Sequence, residues 1–353
     1  VTRLGLIARA DNRGLGIQTW EAFRHLKPAK TMVVDCPSQK PLALHLDRFP
    51  GATVVRGFPT ARDFREFLRD LDVVFTCETP YSYDLFRVAD DMAVRTVLQY
   101  NFEFLDYLRS PELPRPTLFA APSPWRYGDV PFQNKTHLPV PIATDRFTQA
   151  PSGRHRAVNF LHVVGRPAIH DRNGTADLLS ALAHVCSPIT VTITCQDKDY
   201  VRDLAARVTI PANVNLVLNG GDRANYWDNY VDQDVLLMPR RFGGLCLPAQ
   251  EAIGAGMPVI MPDIEPNTWL PDSWLVPASY ADTFIARTEI DVYSVHRKAL
   301  AMAIDRFATD EAFFAQARAT AAEIAHHCSW ESQRPVYDAT FANLTTRKDP
   351  AHA

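Results

Sequence analysis

Short apolar runs and helix-spaced apolar residues take turns along almost the whole chain. Residues 4–8, 31–35, 53–55, 73–76 and 94–98 are rich in Val, Ile, Leu and Phe and predict buried strands. Between them, 17–26, 61–71 and 83–90 place apolar residues at helical spacing and predict helices. The same grammar restarts at residue 157. Strands are predicted over 157–164, 189–194, 214–218, 235–238, 259–260 and 274–276, and helices over 175–186, 224–231 and 291–327. A last helix opens at Cys328-Ser329-Trp330-Glu331, with Ser329 as its N-cap. Strands alternating with helices argue for an α/β protein built on parallel sheets, with chemistry at the carboxyl ends of the strands. That rule points to Glu78, Asn101 and Glu103. The two carboxylates suit an acceptor hydroxyl as base or hydrogen-bond acceptor, or else serve as helix N-terminal charges.

The densest pattern runs from Pro239 to Ile260. The apolar run 235–238 leads into Pro239-Arg240-Arg241-Phe242-Gly243-Gly244-Leu245-Cys246, and a helix is expected just beyond. Adjacent glycines let the backbone approach a bulky group, and a helix start directs unpaired amides and a positive dipole end at the same space. With two arginines beside the turn and Glu251 a turn or two into the helix, the segment reads as a diphosphate cradle. An ordinary strand-turn-helix with solvated arginines is the plain alternative. Near the start, Arg9-Ala10-Asp11-Asn12-Arg13-Gly14-Leu15-Gly16 forms a second glycine loop between strand and helix. Its spacing is not Gly-x-Gly-x-x-Gly, which disfavours a dinucleotide site.

Composition narrows the picture a little. A chain of 353 residues suggests two domains. With 46% apolar and 22% charged residues it has ample core for both, and a formal charge of -3 gives no global drive toward nucleic acid or anionic membrane. Six scattered cysteines lack ligand spacing and read as buried free thiols of a reducing compartment. No apolar stretch reaches the length of a membrane span, and Val1-Thr2-Arg3 leads straight into a strand with no signal peptide. A cytoplasmic protein without integral membrane contact is expected.

Strand, glycine turn, helix ending in Gly254-Ala255-Gly256-Met257-Pro258, then strand: this order resembles the donor-binding segment of retaining nucleotide-sugar glycosyltransferases with the GT-B fold, two Rossmann-like domains flanking a cleft. The resemblance extends from about 138 to 344. It implies an acceptor domain over 1–148, a donor domain over 149–328, with 149–156 as hinge, and a helix over 329–353 crossing back to the first domain. It also implies a diphosphate on the amides of Gly243, Gly244 and Leu245, and a nucleotide ribose held by Glu251. Arg166 matches the first of two family cations on the diphosphate; the second, a lysine, is absent, and Arg172 is the nearest substitute. Asn219-Gly220-Gly221 corresponds to a loop near the base. Gly14 and Gly16 correspond to the first-domain loop facing sugar and phosphate, with a plain tight turn as the alternative. Where the family often carries a His on the sugar, this chain has Asn101. The chain also departs from the usual pair of Glu separated by seven residues, since the position eight before Glu251 is Gly243. The sugar is then expected to be held through main-chain amides and Arg241.

The activity implied is retaining transfer of a sugar from a UDP- or GDP-sugar to a hydroxyl, with no permanently bound cofactor. No metal motif such as Asp-x-Asp is read in the chain, so leaving-group charge is expected to fall to Arg166, Arg172, Arg240 or Arg241 and to helix amides, one donor being worth roughly 3–4 kcal/mol. The acceptor is left open among small molecule, glycan, protein and modified DNA, as is the oligomeric state. Two rival readings stand beside it. One is a DNA glycosyltransferase acting on hydroxymethylated bases, with Arg9, Arg13, Arg56, Arg62, Arg65 and Arg69 as groove material. The other is a non-catalytic nucleotide-sugar-binding homologue.

Overall fold

The structure is a computed structural model, and it describes residues 2–36, 42–78, 80–147, 154–165 and 171–346. The chain divides into two compact units. Val1–Pro141, Ala286–Thr288 and Trp330–Ala353 make up the first, and Ile142–Ile285 with Glu289–Ser329 the second.

In the first unit, strands β1 (Leu4–Ala8), β2 (Lys30–Asp35), β3 (Thr53–Arg56), β4 (Val73–Glu78), β5 (Arg95–Tyr100), β6 (Leu118–Ala121) and β7 (Lys135–His137) form one parallel sheet in the order β3-β2-β1-β4-β5-β6-β7. Helices α1 (Gly14–Leu26), α2 (Ala61–Leu68) and α3 (Asp84–Asp91) are the crossovers, as parallel pairing requires. The central strands β1 and β4 are buried almost throughout, which is why they read as unbroken apolar runs rather than alternating ones. A buried polar knot fixes the last helix, Trp330–Thr346, onto this sheet. Gln99 of β5 accepts from Gln18 Nε2 at 2.7 Å. Its own amide donates to Leu138 O at 2.6 Å and to the Tyr337 hydroxyl at 3.0 Å, while that hydroxyl donates to Pro139 O at 2.9 Å. Tyr337 and Phe341 pack against Phe75 of β4, with ring centroids 6.0 and 5.8 Å away.

The second unit repeats the plan. Strands β8 (Asn159–Gly165), β9 (Ile189–Cys195), β10 (Val214–Gly220), β11 (Val235–Leu237), β12 (Val259–Pro262) and β13 (Leu275–Val276) pair in parallel in the order β10-β9-β8-β11-β12-β13. Helices α4 (Thr175–Leu182), α5 (Lys198–Ala205) and α6 (Leu247–Gly254) connect them. An antiparallel hairpin, β14 (Ala278–Ile285) and β15 (Glu289–Val295), follows, then α7 (Arg297–Thr309) and α8 (Glu311–His327). In both units the order reverses beside the first strand, the doubly wound arrangement in which ligands lie at strand carboxyl ends next to the reversal.

Four expectations need correction. Helix α1 starts at Gly14, not 17, because Ile17 N–H already reaches Arg13 O at 3.0 Å. Gly14 and Gly16 therefore belong to its first turn rather than to a loop. Strand β10 runs on through Asn219 and Gly220, which pair with Thr194 and Cys195. Residues 291–295 lie in β15 instead of a helix, with Ile290 and Val292 alternating inward. Residues 226–230 form a 3-10 turn, shorter than the helix expected over 224–231.

One glycine holds the second unit's reversal point together. Gly174, before α4, has φ 70°, and a Cβ there would collide with the main-chain oxygen of Pro239 beyond β11. Gly174→Ala is expected to cost about 3 kcal/mol or more, adding left-handed strain to a backbone collision. A fall in the urea midpoint of the variant checks this, and an unchanged midpoint contradicts it.

Candidate functional site

At the second unit's reversal point three elements meet on one side chain. His162, at the middle of β8 and fully buried, lies with Nδ1 2.8 Å from Leu237 O of β11 and Nε2 3.0 Å from Thr175 Oγ1 at the start of α4. A carbonyl only accepts, so Nδ1 carries the hydrogen and Nε2 accepts from the threonine. Burial lowers the pKa of this imidazole and keeps it neutral, against the opposing pull of the Leu237 carbonyl. Above it the loops after β8 and β11 are joined. Gly174 lies against Pro239, and Arg241 N–H donates to Arg172 O at 2.8 Å.

The glycine turn follows. Gly243 has φ 111° and is buried, and a Cβ there would meet Nη2 of both Arg240 and Arg172 at or inside 2.5 Å. Two guanidinium groups thus converge on the Cα that lacks a side chain. Arg240 is buried, donating from Nε to Phe242 O at 2.8 Å and from Nη1 to Leu245 O at 2.6 Å. Arg172 lies over the Phe242 ring, 5.3 Å from its centroid. Arg241 turns elsewhere, donating to Tyr293 O at 3.0 Å and Ser294 Oγ at 3.3 Å on β15. Successive residues of an extended segment face opposite ways, so of the two neighbouring arginines only Arg240 reaches the turn. The sequence names both arginines and cannot tell them apart.

Helix α6 begins just past the turn with Cys246 at its N-cap, and no side chain caps it. Glu251 sits in its second turn, buried, and accepts a short hydrogen bond from the Tyr230 hydroxyl. Burial raises the tyrosine pKa well above its usual value, and the Glu251 carboxylate adds to this, so Tyr230 stays a donor. Gly244 and Leu245 are half-buried on the same turn. Asn219 and Gly220 stand apart from it. They end the edge strand β10, three strand spacings from β11, or about 14 Å across the sheet. Arg166 lies outside the described residues.

The first unit's reversal point holds the other expected residues. Asp11 accepts from Arg9 Nε at 2.6 Å, Arg13 Nη1 at 2.8 Å and Arg13 N at 3.1 Å, folding the loop back on itself. Gly16 packs on this loop so closely that a Cβ would collide with Asp11 O, while Gly14 is exposed at the helix start. Glu78 closes β4 opposite Tyr100 of β5, and Asn101 follows directly, its Oδ1 accepting from Glu103 N at 3.4 Å. Glu78 and Asn101 are brought together. A cavity of about 350 Å³ opens there, with Arg9, Glu78 and Tyr81 in its wall.

Residues 171–334 match the family described as family 4 glycosyltransferase in conflict systems. Solved structures extend the likeness to nearly the whole chain. Sucrose-phosphate synthase from Thermosynechococcus elongatus is 15% identical, with a TM-score of 0.70 over 98% of this chain and 99% of that one. HepE from Anabaena, solved with UDP and glucose, is 12% identical, with a TM-score of 0.72 over 97% and 100%. A trehalose-6-phosphate synthase is 11% identical, with a TM-score of 0.65 over 97% and 99%. No curated protein sequence matches. The fold is that of the GT-B glycosyltransferases, with two Rossmann-like units each built on a parallel sheet.

All six cysteines are free thiols, but only Cys77, Cys195 and Cys246 are buried as expected and Cys186 is exposed, and no helix among the described residues is long and apolar enough to cross a membrane. Contrary to the expectation above, Asp-x-Asp triplets stand at 70–72, 197–199 and 232–234. The last is structural: Asp234 accepts from Arg154 Nη1 and from the amides of Val158 and Asn159, all at 2.9 Å, anchoring the start of β8.

Two predictions follow from these contacts. His162 has a folded pKa below its ordinary value near 6.5, so its contribution to stability is complete above pH 6.5 and lost as pH falls toward the folded pKa. Stability of the protein should fall by up to about 1.4 kcal/mol per pH unit in that window from this group. His162→Gln should flatten the dependence by one proton, measured by urea unfolding between pH 5 and 7. Tyr230→Phe takes a donor from the buried Glu251 carboxylate and is expected to cost about 1.5–3 kcal/mol, read from the same unfolding curves at pH 7.

Proposed function

We propose that this protein is a glycosyltransferase that moves a sugar from a nucleotide-diphosphate donor, UDP- or GDP-linked, to an acceptor hydroxyl, with retention of configuration and without a metal. The observation that carries the reading is the convergence of Arg172 and Arg240 on Gly243 beside the uncapped start of α6. Two fixed cations and a helix N-terminus suit two adjacent phosphates. The amides of Gly243, Gly244 and Leu245 lie on the diphosphate, Glu251 holds the ribose, and Arg166 adds a further cation, as the resemblance implies. The relatives are consistent with this: HepE was solved with UDP and glucose, and the trehalose-6-phosphate synthase was studied for glycosyltransfer with retention.

The bond from sugar C1 to the β-phosphate oxygen breaks, and a bond from C1 to the acceptor oxygen forms on the same face. The departing phosphate oxygen takes the acceptor's proton, so no carboxylate base on the opposite face is needed. Charge grows on the leaving diphosphate, where preorganised cations lower the barrier because they need no reorganisation.

Thermal-shift titration with UDP and GDP tests the donor site. Arg172→Ala should weaken the stabilising diphosphate by about 10- to 100-fold, the worth of hydrogen bonds to a charged group; an unchanged titration overturns the assignment. In turnover, an α-linked donor should give an α-linked product by NMR, and activity should survive EDTA. A β-linked product would rule out retention.

A further inference from the structure

The first unit's cavity lies at the carboxyl ends of β1 and β4, where strand order reverses. At about 350 Å³ it stands near the lower end of small-molecule sites, roughly 300–1,000 Å³. Among the described residues four charged side chains reach its wall: Arg9, Arg287, Glu78 and Asp106. Both cations are already matched. Arg9 donates to Asp11 at 2.6 Å; burial pulls its pKa down, but the carboxylate outweighs burial and the pKa rises. Arg287 Nη1 lies 2.6 Å from Asp106 Oδ2, which also accepts from the Tyr83 hydroxyl at 2.6 Å. With each guanidinium held by a carboxylate and Glu78 in addition, the described residues of the wall carry no surplus positive charge for a phosphate.

The rest of the wall is largely aromatic. Phe58 is 64% exposed and lines the cavity. The Tyr81 hydroxyl is the decisive atom: it is shielded from solvent yet meets no hydrogen-bond partner among the described residues. Tyr81 and Glu78 both hold left-handed backbones, with φ 53° and 60°. A buried hydroxyl with no partner and two strained residues are costs that persist where binding uses them.

We propose that this cavity binds a neutral polyhydroxylated ligand of one or two sugar rings, with aromatic faces against its C–H faces, Glu78 accepting from ring hydroxyls and the Tyr81 hydroxyl completing the polar contacts. Treating the ligand as the acceptor rests on the function proposed above; the binding itself does not. A phosphorylated sugar binds less well, for want of an uncommitted cation.

Saturation-transfer NMR on the full chain, with a panel of neutral hexoses, pentoses and disaccharides and with glucose 6-phosphate, tests this. Transfer is expected to at least one neutral sugar, with glucose 6-phosphate weaker than glucose. Tyr81→Phe should weaken the neutral sugar about tenfold while raising the Tm of the free protein by about 2–4 °C, since an unsatisfied buried hydroxyl is removed. Phe58→Ala, at an exposed site that leaves folding intact, should also weaken it several-fold. Transfer to no neutral sugar, or tighter binding of glucose 6-phosphate, overturns the proposal. UDP stabilisation should be unaltered in both variants. Its absence from the wild type, with sugar binding retained, would sink the donor reading and leave this site standing.

Discussion

Everything at the second unit's reversal point depends on two loops touching where one of them has no side chain. With Gly174 against the Pro239 carbonyl, the segments after β8 and β11 come close enough for Arg241 N–H to reach Arg172 O. His162 draws β8, β11 and α4 together beneath them. The result is that Arg172 and Arg240, from different loops, end within about 5 Å of each other over Gly243. Two like charges at that separation repel by about 3 kcal/mol at an effective dielectric constant near 20. The Phe242 and Leu245 carbonyls offset part of this for Arg240, and an anion between the two groups would reverse its sign. On the donor reading proposed above, a diphosphate would be that anion.

The two units use one sheet order to opposite electrostatic ends. In the second, the reversal point gathers cations over a glycine beside a helix start. In the first, every arginine at the cavity is answered by an aspartate, and aromatic rings complete the wall. The Rossmann-like frame supplies the location, and loop side chains decide which charge is found there.

Much of the frame could be read from the chain because parallel strands buried on both faces appear as plain apolar runs, and their crossover helices as helix-spaced ones. The glycine turn was legible for the same reason: Gly243 and Gly244 interrupt a strong strand-to-helix signal. What escaped depends on direction and register. Arg240 and Arg241 are chemically identical, and only the backbone course turns one onto Gly243 and the other onto Tyr293. Hairpin β14–β15 was lost because its second strand ends two residues before α7 begins, so its short alternation merged with a longer helical pattern. Asn219 and Gly220 look like a turn by composition, yet pairing with Thr194 and Cys195 carries the strand through them. The Tyr81 hydroxyl left no trace in the sequence, since the lack of a partner belongs to tertiary packing.

The knot of Gln18, Gln99, Leu138 and Tyr337 sets the order in which this protein can be completed during synthesis. The first unit's sheet is encoded before residue 142, yet the ring that seals it arrives almost two hundred residues later. At roughly 5–20 residues per second, the nascent first lobe waits on the order of ten seconds or more with Phe75 and Gln99 uncovered. The lobe translated second therefore has its strands and helices complete before the lobe translated first can close, and a ribosome stalled in that interval would leave an open, apolar sheet face for chaperones to shield.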